Sequence, residues 1–244
     1  MSERIALIGA GAMGGAIGTR LLETGNTLWV FDLDTARVDD LVAKGAVAAT
    51  SAAEAARDAD FVITSLNAAR IVGLAAFGES GIAWGDSPLS GGAPKALIGE
   101  LTLMAGGTAE DVARAHVALK HVASNYTHMG PSGAGQTTKL INQVLCGLGF
   151  LAVAEATQLA LDAGVDAEKI PQALRGGRAD SALLQEYLPR FATKDYRRTG
   201  RIDNMVKDLN AVNDLARRTG TSMPMTALCA EIHRMLTAAG LGAQ

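Results

Sequence analysis

The chain has 244 residues, 48% of them hydrophobic and 19% charged, which is enough apolar material for a sizeable core and too much for a disordered segment. Its 22 Lys and Arg against 25 Asp and Glu give a net charge of −3 with no basic stripe to meet a phosphate backbone, so nucleic acid is excluded as a main partner. At roughly 150 residues per domain, the length suggests two domains.

The first half alternates short apolar runs with helical stretches that stop at glycine, the pattern of βαβ units on a parallel sheet. Ile5 to Ile8, Leu28 to Phe31 and Phe61 to Thr64 are almost continuously apolar, as expected of strands covered by helices on both faces. Between them helices are predicted at Met13 to Thr24, stopped by Gly25, and at Thr35 to Lys44, stopped by Gly45. A third, Ala52 to Arg57, is opened by a Ser51/Glu54 capping box. The apolar stretch at 5–19 is broken by five glycines and framed by no basic leader, and no run approaches the roughly 18 residues of a spanning helix, so a cytoplasmic protein without a membrane partner is expected.

From Gln136 to Asp162 the texture changes to one long apolar helix, and helices alone are predicted after Gly164, at about 167–175, 181–193, 202–219 and 224–239. Arg217 and Arg218 in a last turn before Gly220, and Pro224 at a first position, mark two of these ends. The domain boundary falls near Gly130, giving domains 1–130 and 131–244. Cys146 and Cys229 read as small buried hydrophobes in a reducing compartment. For His116, His121, His128 and His233, no i,i+4 pair and no neighbouring cysteine at ligand spacing is counted, and no metal is expected.

Gly9-Ala10-Gly11-Ala12-Met13-Gly14 is a G-x-G-x-x-G between an apolar strand and a helix, the context in which glycines let the backbone approach a pyrophosphate at a helix N-terminus. An ordinary glycine-rich turn is the plainer alternative. Asp32 lies 23 residues after Gly9, at the end of the second strand, where a carboxylate can accept from an adenosine ribose. Leu33 and Asp34 follow it, with no cation to receive a 2′-phosphate, so NAD is favoured over NADP; Asp34 itself reads as a helix N-cap.

Asp86-Ser87-Pro88-Leu89-Ser90-Gly91-Gly92 ends an extended segment in two glycines, whose consecutive N–H groups suit a carboxylate. Lys139, Asn142 and Gln143 stand at i, i+3 and i+4 near the start of the long helix and share a face. A hydride transfer from a carbinol carbon needs a group that takes the hydroxyl proton, and a lysine amine can do so. Taken alone, Lys139 also reads as a solvated helix residue.

Gly9-x-Gly11-x-Met13-Gly14, Asp86 to Gly92, Gly130-x-x-Gly133-x-Gly135-x-x-x-Lys139-x-x-Asn142-Gln143 and Lys207-Asp208-Leu209 stand in the order found in the β-hydroxyacid dehydrogenases, and the chain resembles that family over nearly its whole length. The resemblance implies an NAD-dependent enzyme of a small 3-hydroxy acid or its semialdehyde. It implies an α/β Rossmann domain with a doubly wound parallel sheet, then an all-α domain for substrate and dimerisation, assembling as a homodimer or homotetramer. It implies Lys139 as general acid/base with Gln143 as supporting amide. Gly9, Gly11, Ala12, Met13, Gly14, Asp32, Leu66, Asn67 and Lys207 would serve the cofactor, and Ser90, Gly91, Gly92 and Asn142 the substrate. Asn142-Gln143 and Gly200-Arg-Ile-Asp-Asn resemble the tartronate semialdehyde reductase branch, whereas Ser65-Leu66-Asn67-Ala68-Ala69 is similar to L-threonate dehydrogenase-like members.

One departure stands out. Only 18 residues separate Asn67 from Asp86, where the family places a helix, a strand and another helix. Roughly 35 residues are missing against that pattern, and a parallel crossover of a dozen or more cannot hide in what remains. The family tail after Gly240-Leu-Gly is also shorter here. One βα unit of the sheet is therefore expected to be absent, which keeps a catalytically impaired dinucleotide-binding homologue as the alternative; an imine reductase, a class that usually lacks the lysine, is the other.

Overall fold

The computed structural model describes residues 3–66 and 84–243. They fall into two compact units, 1–139 and 140–244.

The first unit opens with β1 (Arg4–Ile8), α1 (Ala12–Glu23), β2 (Thr27–Phe31), α2 (Thr35–Val42), β3 (Val47–Ala48), α3 (Ala52–Ala56) and β4 (Phe61–Thr64). The strands form an all-parallel sheet in the order β3-β2-β1-β4, with Ile8 beside Phe31 and Thr64. α3 starts with half of the expected capping box. Ser51 Oγ accepts from the Glu54 N–H at 3.1 Å, while the Glu54 carboxylate accepts from the N–H of Thr50, one residue earlier than the motif has it.

A second group of elements follows: β5 (Leu89–Ser90), α4 (Gly92–Leu97), β6 (Leu101–Gly106), α5 (Ala109–Leu119) and β7 (Ala123–Gly130). They make a separate sheet, β5-β6-β7, with β6 and β7 parallel and β5 antiparallel. The two sheets share one core, in which Ile5, Leu7, Leu21, Leu28 and Leu101 are fully buried. Each such side chain contributes about 1.5–3 kcal/mol relative to exposure.

Parallel strands covered on both faces were expected throughout, and at the edges this fails among the described residues. Val62 in the middle of β4 is 47% exposed, and both residues of β3 are exposed. An apolar run reports that a strand is apolar; it does not report whether a layer lies over it.

α6 (Ala134–Asp162) is continuous across the boundary and carries the chain into the second unit. There follow a short 3₁₀ turn at Ala167–Lys169, α7 (Ile170–Leu174), α8 (Ala182–Ala192), α9 (Ile202–Thr219) and α10 (Pro224–Leu236). Gly220, at φ 70°, ends α9, and Pro224 opens α10, as the sequence signals require. One cluster joins Leu209 of α9 to Cys229 and Ala230 of α10 and Leu148 of α6; another sets Leu184 and Leu188 of α8 against Val153 and Ala160. α6 corrects one expectation: by length and composition it could cross a membrane, a test that the core helix of a soluble protein also passes.

Candidate cofactor and substrate sites

The chain leaves β1 through Gly9 at φ +97°, a conformation that L side chains rarely adopt. The Gly9 N–H donates to the Phe31 carbonyl at 2.9 Å, fixing the turn to the end of β2. A Cβ on Gly14 would collide with the Gly9 carbonyl oxygen, so α1 begins in direct backbone contact with the turn. The N-cap of α1 is Gly11, which offers no side chain to the first N–H groups of the helix. That combination suits a pyrophosphate, whose charge complements the helix N-terminus.

Asp32 is set against this loop. Its Oδ2 accepts from the Ala10 N–H at 2.6 Å and its Oδ1 from the Asp34 N–H at 2.9 Å. The bond from Asp34 chiefly, with that from Ala10 and the nearby Arg37, holds the carboxyl below its usual range against the opposing effect of burial, so it is ionised at neutral pH. Asp34 occupies the N-cap of α2 without a capping bond, and instead pairs with Arg37 at 2.9 Å.

The local sequence shows no cation here, yet the fold brings two. Arg37 Nη1 lies 3.2 Å from where a Cβ on Gly11 would stand. A groove of about 410 Å³ beside the loop is lined by Arg37 and Lys44 together with Gly11 and Gly15. Arg37 comes five residues after Asp32, on the first turn of α2, so its reach follows from the turn between strand and helix and not from adjacency. Leu66 is 37% exposed, with Cδ2 3.0 Å from the Cβ position of Gly9. Asn67 lies outside the described residues.

In the second predicted loop, Ser90 ends β5, and Gly91 and Gly92 follow at φ +118° and +71°, both in the left-handed region. The Lys95 Cβ is 2.9 Å from the Cβ position of Gly91, and Lys95 itself is ion-paired with Glu100. Lys139, half-buried, stands on the second turn of α6 in the first unit.

In the second unit, Asn142 Nδ2 donates to Gln143 Oε1 at 2.9 Å, and Gln143 Nε2 donates to Asp208 Oδ2 at 2.7 Å. Asp208 also faces Lys207 Nζ at 3.4 Å. The buried Gln143 amide is thereby oriented by partners on both sides. Asp208, which the motif carries without an assigned role, links α6 to α9.

Cys229 and His233 correct the spacing count, for they are four residues apart on α10 and buried together. His233 Nδ1 is 2.8 Å from the Cys229 carbonyl oxygen and 3.6 Å from its Sγ, and burial pushes the thiol up. Among the described residues no three His, Cys, Asp or Glu side chains gather as a metal site.

A parallel sheet entered through such a glycine turn and followed by a helical domain defines a two-domain dinucleotide-binding protein. Residues 4–85 and 74–130 match the NAD binding domain of 6-phosphogluconate dehydrogenase, and 133–244 match the NAD-binding domain of NADP-dependent 3-hydroxyisobutyrate dehydrogenase. The chain is 34% identical to an NAD-dependent L-serine dehydrogenase of Pseudomonas aeruginosa, over 98% of this chain and 93% of the relative. It is 30% identical to an L-threonate dehydrogenase of Cupriavidus necator, over 100% and 94%. A Mycobacterium tuberculosis 3-hydroxyisobutyrate dehydrogenase solved with L-serine superposes with a TM-score of 0.89 at 26% identity, covering 100% of this chain and 97% of that one. The chain belongs to the β-hydroxyacid dehydrogenase family. An imine reductase from Pseudomonas sp., at 21% identity and a TM-score of 0.64, shares the fold alone.

The departure from the family pattern is also visible against these relatives. The first-domain match breaks into two stretches that overlap at 74–85, and the serine dehydrogenase match runs over 278 positions against the 244 residues present here.

Proposed function

We propose that this chain is an NAD-dependent dehydrogenase of a small 3-hydroxy acid, with Lys139 as the general acid/base. The observation that carries the reading is the Gly9 to Gly14 turn with the ionised Asp32 bonded against it, a dinucleotide cradle built by the two ends of adjacent parallel strands. Gly9, Gly11, Ala12, Met13, Gly14, Asp32, Leu66 and Asn67 hold the cofactor in this reading, with Lys207 contributing from α9. The dinucleotide supplies the hydride acceptor or donor. Lys139 takes the proton from the substrate hydroxyl in oxidation and returns it in reduction. Ser90, Gly91 and Gly92 hold the substrate carboxylate, and Asn142 and Gln143 support the site. The curated relatives named for L-serine and L-threonate favour short hydroxy acids as substrates, and a cytoplasmic setting belongs to the same reading.

Asp32 favours NAD because its carboxylate repels a 2′-phosphate. Arg37 and Lys44 favour a second reading, in which they receive that phosphate and the enzyme uses NADP. Fluorescence titration with both reduced cofactors separates the two. NADH is expected to bind about tenfold tighter or more, some 1.4 kcal/mol; tighter NADPH binding reverses the assignment.

The second unit leaves Leu145 and Leu159 of α6 69% and 70% exposed, with Met225 and Leu228 of α10 also above half. So much apolar surface is covered when copies of the chain associate as a homodimer or homotetramer. Light scattering at micromolar concentration is expected to give at least twice the chain mass, and a monomer mass rejects the assembly.

A further inference from the structure

We infer that Asp86 is a positioning residue that locks the start of α6 to the strand segment leading to Ser90, and so sets where Lys139 stands. The inference rests on the acid/base reading of Lys139 given above. Asp86 is only 8% exposed, and all its polar atoms are engaged. Its backbone N–H donates to the Gly106 carbonyl at 3.0 Å, and its carbonyl accepts from the Gly106 N–H at 2.8 Å, an antiparallel bridge to the end of β6. Its Oδ1 accepts from the Gly133 N–H and its Oδ2 from the Gln136 N–H, both at 2.6 Å. These are the N–H groups at the entrance and in the first turn of α6, which the helix itself cannot satisfy.

The joint is built to leave no slack. A Cβ on Gly135 would stand 2.7 Å from Asp86 Oδ2 and 2.9 Å from its carbonyl oxygen, and one on Gly106 would collide with Oδ1. Two glycines thus close on one carboxylate. Helix starts are usually capped from within by a neighbouring Ser, Thr, Asp or Asn. Here the cap comes from 47 and 50 residues upstream, and a buried carboxylate is costly unless fully bonded. What the long-range cap adds over a local one is registry between two segments.

Those segments carry the proposed reacting groups. Lys139 lies three residues beyond Gln136, about 4.5 Å further along the helix axis. Ser90 is four residues beyond Asp86 along an extended run, at most about 14 Å away. A slip at the joint therefore moves the amine relative to the carboxylate-holding loop, and displacements of about 1 Å can cost roughly 10² in rate.

Asp86→Asn tests this, since the amide keeps one acceptor and turns an NH₂ towards the other N–H. The kcat is expected to fall about 10- to 100-fold. NADH affinity, set by the separate Gly9 to Gly14 turn, is expected to stay within about threefold. Amide exchange at Gly133 and Gln136 should accelerate in the variant. Because Asp86 acts through Lys139, Asp86→Asn combined with Lys139→Ala should turn over no more slowly than Lys139→Ala alone. A merely structural role would lower both backgrounds by the same factor. If Asp86→Asn does not fold, Asp86→Glu keeps the carboxylate and shifts the joint by one methylene, and a kcat loss absent on the Lys139→Ala background is expected of it too. Wild-type kcat in the variant that folds, or equal losses on both backgrounds, overturns the inference and leaves the lysine assignment standing. A Lys139→Ala enzyme that keeps more than about a tenth of wild-type kcat instead removes the reading beneath it.

Discussion

Lys139→Ala is expected to lower kcat by roughly 10² to 10⁴, the contribution typical of a general acid/base group. The dinucleotide turn has restraints of its own, from Phe31 at the end of β2 and from Asp32 just beyond it. NADH affinity should therefore hold within about threefold while turnover collapses. Steady-state kinetics with a separate binding titration checks both halves. Loss of affinity with preserved kcat would place the lysine at the cofactor, and retention of most of kcat would make it an ordinary residue of α6.

Gly14→Ala is expected to act the opposite way. The added methyl meets the Gly9 carbonyl oxygen head on and comes within 3.2 Å of Ser65 Cβ, and neither neighbour is the free end of a flexible side chain. α1 has to move off the turn, at the 1–3 kcal/mol or so typical of overpacking. NADH binding should weaken about 10- to 100-fold, by the same energy read as affinity. Thermal melting paired with NADH titration reads the two effects. Unchanged binding in a folded Gly14→Ala protein would mean that the turn does not hold the pyrophosphate.

Much of the fold is legible in local signals. Gly25 and Gly45 follow α1 and α2, Phe61–Thr64 is β4 as its apolar run suggests, and Gly220 and Pro224 bracket the turn between α9 and α10. The Gly9 turn and Asp32 stand where the strand-turn-helix pattern puts them. Non-local features are not written that way. β7, Ala123–Gly130, is mostly polar and exposed, so neither alternation nor an apolar run marks it. α6 begins at Ala134, two residues before its apolar pattern, since the carboxylate that satisfies its first turn comes from Asp86. Arg37 beside Gly11, and Asp208 bonded to Gln143, are products of packing between elements whose separation in sequence hides them.

The central claim, an active NAD-dependent dehydrogenase despite the shortened span between Asn67 and Asp86, is tested most directly by NADH formation from NAD⁺ over a panel of short 3-hydroxy acids that includes L-serine and L-threonate. NADH should accumulate with at least one member and fail to accumulate in Lys139→Ala. A wild-type protein that binds NADH yet forms none from any member of the panel, and consumes none with the matching semialdehydes, would contradict the claim and mark the chain as a cofactor-binding homologue without turnover.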